Sequence, residues 1–209
     1  MKDNFSDVEQ RVKRYWYVDG FGELVGGGGM CLILAIYFAA QQYFGDNSLL
    51  GSLLQVSLFF VLVGGMLFVR RLINAAKLRV TYPRTGYVEY AQPMNKRLMS
   101  ILSAVVGMIM AMTFIFIVRQ FNRIDAMVAV SGTVMGIILY VKQVWSAKVK
   151  RFYILSAAAV LYGVALSVSG FPRGYNLGLF YGLMSLSFMV SGGLTLKRYL
   201  DENPLPTEP

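Results

Sequence analysis

Almost all the charge in this chain is confined to short segments between long apolar runs, and this segregation limits the fold more than any other feature. The runs occupy 23–43, 49–69, 98–118, 124–144, 152–169 and 177–196. At about 1.5 Å per helical residue, each approaches the roughly 30 Å of hydrocarbon in a bilayer. The run 152–169 is the shortest and would span with little tilt. With 56% hydrophobic and 15% charged residues in 209, the chain has more apolar surface than one soluble core can absorb, and the excess must face lipid. The expected fold is all-α: a polytopic membrane protein with six transmembrane helices in a single domain over 23–200, followed by a polar tail at 201–209.

The basic residues set the expected orientation. All of the 20 except Arg119, Arg123 and Arg173 fall before the first run, after the second, around the fourth-to-fifth connection, or after the sixth. That asymmetry places both termini in the cytoplasm. The expected location is therefore a plasma membrane, bacterial or archaeal, crossed several times. The net charge of +9 is explained by this placement, so nucleic acid is not an expected partner.

Two aqueous segments have patterns of their own. Over 1–22, Phe5, Val8, Val12 and Tyr15 recur at helical spacing opposite Glu9, Gln10, Lys13 and Arg14, and Ser6 with Glu9 forms a capping box. This reads as an amphipathic helix on the inner leaflet, with Trp16 and Tyr17 at headgroup depth. In the connection 70–97, Val80, Tyr82, Tyr87, Val88 and Tyr90 flank Pro83-Arg84-Thr85-Gly86. Strand formers around a turn predict a small cytoplasmic β-hairpin between the second and third spans.

Candidate sites are few. Arg79, Tyr82, Arg84, Tyr87, Glu89 and Tyr90 form the best surface candidate, because arginine offers a planar fork to phosphate or carboxylate and tyrosine offers amphipathic contact area. Asp19 and Glu23, four apart at the mouth of the first span, could hold an ion or form salt bridges, with Arg14, Arg70 or Arg97 as partners. Gly26, Gly27, Gly132, Gly136, Gly178 and Gly182 mark close helix packing. The run Gly26 to Gly29 lacks the Lys and Ser or Thr of a phosphate-binding loop.

The absences narrow the chemistry. No histidine and a single cysteine, Cys31, leave the familiar zinc, haem and iron–sulfur ligand sets incomplete. No metal, no cofactor and no catalytic residue is expected. The primary functional expectation is an integral membrane accessory or scaffold protein. It would bind lipid, through anionic headgroups on the cytoplasmic side, and a membrane or cytoplasmic partner subunit. A small transporter or channel-like protein, acting as a homodimer, is the alternative; its polar path would need Gln55, Thr113, Thr133 or Ser187 to converge. An enzyme acting on lipid ranks third.

Overall fold

The computed structural model describes residues 19–45, 49–85, 124–142, 149–170 and 175–204. Every regular element among them is a helix. A π-helical segment, Gly22–Gly28, runs directly into α1 (Gly29–Phe44). Then follow α2 (Leu49–Val80), the single turn α3 (Tyr82–Thr85), α4 (Ile124–Lys142), α5 (Arg151–Val168) and α6 (Tyr175–Glu202).

The wide opening of the first helix follows from its composition. A π-helix closes i→i+5 bonds and packs its backbone less tightly than an α-helix. Gly26, Gly27 and Gly28 have no β-carbon to oppose that widening or the close approach of a neighbour. The Ser185 hydroxyl of the neighbouring α6 donates to the Gly28 carbonyl at 2.8 Å. Upstream, Gly20 turns the chain with φ +73°, a conformation natural to glycine. A β-carbon there would also lie 2.5 Å from the Gly192 carbonyl oxygen.

The helix α6 lies at the centre. It packs against the π-helical segment, α1, α5 and α4, while α2 packs on α1 and the π-helical segment. The core joins Cys31 of α1, Val128 and Leu139 of α4, Phe152, Leu155 and Ala159 of α5, and Phe180, Met184 and Phe188 of α6. The pair α4–α5 closes through glycine: a β-carbon on Gly132 would sit 2.6 Å from the Ala159 carbonyl oxygen. The Ser156 hydroxyl then bridges to the Gly136 carbonyl at 2.7 Å. At the end of the bundle remote from Gly20, the Tyr37 hydroxyl donates to the Leu54 carbonyl at 2.8 Å, and Phe38 stacks on Tyr181 with centroids 5.6 Å apart.

The outer faces are apolar. Ile36, Phe60, Met66, Ile154, Leu161, Leu186, Val190 and Leu194 are all exposed, as lipid-facing side chains must be. Among the described residues, three helices are long and apolar enough to cross a membrane: Gly22–Phe44, Arg151–Val168 and Tyr175–Glu202. The chain is a multi-pass helical membrane protein.

Two expectations are corrected here. The first is the count of six spans. The apolar run 49–69 belongs to a 32-residue helix that carries Arg70, Arg71, Lys77 and Arg79 in its last turns. The run 124–144 reduces to an apolar stretch of Met127–Val141, shorter than the roughly 30 Å of hydrocarbon demands. The run 98–118 lies outside the described residues.

The second correction concerns the β-hairpin between the second and third spans. Its first strand is helical instead: Leu78, Arg79 and Val80 complete α2, and Tyr82 to Thr85 make another helical turn. Among the described residues there is no strand. The Thr81 amide bonds to the Lys77 carbonyl at 3.0 Å, and both residues reach Asp19 with their side chains. Tertiary pairing thus overrides the local strand preference of Val80 and Tyr82. The remainder of the expected hairpin, 86–90, lies outside the described residues, as does most of the expected interfacial helix, 1–18.

Candidate functional site

A spacing of four does not bring Asp19 and Glu23 together. Positions four apart share a face only within one α-helix. Here Asp19 precedes the helix, Gly20 takes a positive φ, and Glu23 begins the π-helical segment. The two carboxylates therefore diverge and enter separate polar clusters at the same end of the bundle.

Asp19 is 1% exposed. One carboxylate oxygen accepts from the Phe21 amide at 3.2 Å, closing the chain onto the helix start. The other lies 2.9 Å from Lys77 Nζ and accepts from the Thr81 hydroxyl at 3.3 Å. Lys77 is itself 3% exposed, so this ion pair joins the first helix to the end of α2 away from water.

Glu23 is 2% exposed and binds the helices on the other side. The Arg151 Nε–H donates to one of its oxygens, and the Ser191 hydroxyl donates to the other at 2.7 Å. Arg151 also donates from Nη1 to the Thr195 hydroxyl at 2.9 Å. Thr195 in turn donates to the Ser191 carbonyl one helical turn earlier, at 2.8 Å. Glu23 thus draws α5 and α6 onto the first helix, and each of its oxygens has a donor. Buried charges demand such satisfaction, because an unpaired partner left in a low dielectric is costly.

The cations paired with the acids are Lys77 and Arg151. Arg70, one of the expected partners, is exposed; Arg14 and Arg97 lie outside the described residues. Beside the two pairs in the chain, Arg79, Lys150, Lys197 and Arg198 are exposed and form a cationic rim, and Arg70 and Arg71 are exposed about two turns before Lys77 on α2. Arg198 is bridged to Glu202 at 2.7 Å.

Of the surface candidates, Arg79 is exposed on the last turn of α2, and Tyr82 and Arg84 are half-buried on α3. Tyr87, Glu89 and Tyr90 lie outside the described residues. The glycines take different positions. A β-carbon on Gly26 would stand 3.3 Å from Ile73 Cδ1, on Gly27 2.6 Å from the Phe188 ring, on Gly136 2.6 Å from Val160, and on Gly178 3.5 Å from the Ala35 carbonyl. One on Gly182 would meet nothing within 4 Å.

Thr133 and Ser187, two of the hydroxyls suggested for a polar path, do not bond to each other. Thr133 is exposed and donates to the Ala129 carbonyl of its own helix at 2.8 Å. Ser187 is half-buried; it donates to the Leu183 carbonyl at 3.0 Å and lies 3.3 Å from the Tyr162 hydroxyl. The Gln55 side chain and Thr113 lie outside the described set. Among the described residues, no group of three or more acidic or cysteine side chains could hold a metal ion.

Sequence reasoning missed Lys77, Thr81, Arg151, Ser191 and Thr195. One signal was present: Ser191 and Thr195 are four apart on one helix, which puts two hydroxyls on one stripe. Lys77 and Arg151 were indistinguishable from the other basic residues that set orientation.

Compared with protein-family models, curated proteins and solved structures, the chain matches none.

Proposed function

We propose that this protein is an integral membrane scaffold whose basic end holds anionic lipid headgroups and presents a platform for a partner subunit. One observation carries this reading. Asp19, Glu23 and Lys77 are buried and, with the half-buried Arg151, neutralise each other in two pairs, while the cations beside them in the chain remain at the surface. A carrier needs a polar or ionisable group available within the membrane; here the buried acids are committed to holding helices together. The exposed rim instead suits phospholipid headgroups, where each Lys or Arg is worth about 1 kcal/mol against an anionic surface. By the charge rule for membrane proteins, the rim would face the cytoplasmic leaflet of a plasma membrane.

The test is native mass spectrometry of the full chain released from bilayers of mixed phosphatidylglycerol and phosphatidylcholine. Retention enriched in phosphatidylglycerol, and lost when Arg70, Arg71, Lys150 and Lys197 are all changed to Gln, supports the reading. Equal retention of both lipids opposes it. A stoichiometric second polypeptide released from the native membrane would support the platform role.

A further inference from the structure

The turn α3 holds a buried donor with no acceptor among the described residues. Arg84 Nε is buried and has no hydrogen-bond partner among the described residues, although an arginine N–H shut away from water without an acceptor costs free energy. The rest of the guanidinium is held back against the end of α2, with Nη1 donating to the Val80 carbonyl at 3.4 Å. The turn carrying it is fixed as well. The Arg84 amide bonds to the Thr81 carbonyl at 3.2 Å, and Thr81 is moored to the buried Asp19 carboxylate. Arg84 is therefore positioned through Thr81 and Asp19 while its Nε–H lacks an acceptor among the described residues.

The surroundings specify the sign of what would complete it. Arg79 stands exposed on the turn before, Arg70 and Arg71 lie further down the same helix, and Lys77 is committed to Asp19. An anion would be favoured, and an oxyanion with two oxygens on one face matches the arginine fork. Resting on the lipid-binding reading above, we infer that Arg84 is the specific contact for one phosphate group, that of an anionic phospholipid headgroup. The rim collects such lipids by charge alone, and Arg84 selects one by hydrogen bonding. Binding the phosphate requires the half-buried side chain to turn its now buried Nε–H outward, at the expense of the long Nη1 bond to Val80.

The experiment measures lipid retained per polypeptide by native mass spectrometry, using the full chain with dioleoyl phosphatidylglycerol or dioleoyl phosphatidylcholine. The wild type is expected to keep one tightly held phosphatidylglycerol. Arg84→Gln is expected to weaken that binding about tenfold, and Arg84→Lys by nearly as much, since a point charge does not reproduce a fork. Lys197→Gln, on the rim but carried by α6, is expected to change it less than twofold, within the modest worth of one exposed charge. Thr81→Val keeps the charge of Arg84 and loosens its mooring, and is expected to lie between these extremes. Unchanged retention in Arg84→Gln while the wild type still prefers phosphatidylglycerol overturns the Arg84 site and leaves the rim reading intact. A wild type with no preference overturns both. Inorganic phosphate then separates the sources. Failure to displace the lipid supports the headgroup, and displacement at millimolar concentration overturns the lipid assignment in favour of free phosphate.

Discussion

Gly132 and Gly163 meet across the α4–α5 contact so closely that a β-carbon built on either would lie within 3 Å of the other's Cα, at 2.7 and 2.9 Å. The approach of two backbones, rather than the interlocking of side chains, sets the spacing of these helices. Gly163→Ala should force the pair apart and destabilise the protein by about 1–3 kcal/mol, the usual cost of overpacking. Gly182→Ala is the matched control: with open space around it, it should be neutral or stabilising, up to about 1 kcal/mol from helix propensity. Denaturant unfolding in mixed micelles distinguishes the two, and equal losses would rule out the backbone contact as the cause.

The Asp19–Lys77 pair should behave as a buried bridge. Lys77→Met strands a carboxylate and should cost roughly 3–5 kcal/mol, whereas Asp19→Leu combined with Lys77→Met should cost much less, because no lone charge remains. The same unfolding assay applied to the two singles and the double gives the coupling directly. Additive losses would mean that the pair acts as two independent residues.

Arg151 serves two acceptors from different nitrogens, Glu23 from Nε and Thr195 from Nη1. A lysine amine cannot span that arrangement in the same plane. Arg151→Lys should therefore lose about 1–3 kcal/mol, and Ser191→Ala, which removes a single donor from Glu23, about 1 kcal/mol. A full retention of stability in Arg151→Lys would show that charge alone suffices.

Gly27 faces the ring of Phe188 at a distance no methyl group can share. Gly27→Ala should destabilise, and adding Phe188→Ala should restore part of the loss by opening room for the new methyl. A coupling of about 0.5–3 kcal/mol is the expected scale for residues in direct contact. Strict additivity would place the strain elsewhere in the π-helical segment.

Much of the helix layout is legible in the order of the residues alone, and the reasons are physical. The runs that form α1, α5 and α6 are long, apolar and bounded by charge, and a bilayer leaves the backbone of such a run little choice but helix. Legibility fails where one residue pattern serves two purposes. Val80, Tyr82 and the Pro83-Arg84-Thr85-Gly86 turn satisfy strand statistics, yet Lys77 and Thr81 are tied to Asp19, 58 and 62 positions away, and this holds the segment helical. The spacing of Asp19 and Glu23 misleads for a related reason: Gly20 breaks the phase that would have aligned them. Partners such as Arg151 and Ser191 become visible only when helices are assembled, since nothing local marks one arginine among many as the one that pairs with Glu23.

The partners of Glu23 also impose an order of events on synthesis. Arg151 and Ser191 follow it by 128 and 168 residues, which at ribosomal speeds means a delay of roughly 6–34 s. Throughout that interval the first helix carries an acid with neither of its eventual donors yet made. It has to linger at the headgroup layer, where water can solvate the carboxylate, or rely on the insertion machinery for shelter. Final seating of the first helix is thereby postponed until α5 and α6 have emerged, and biogenesis of the N-terminal part is gated by segments translated much later.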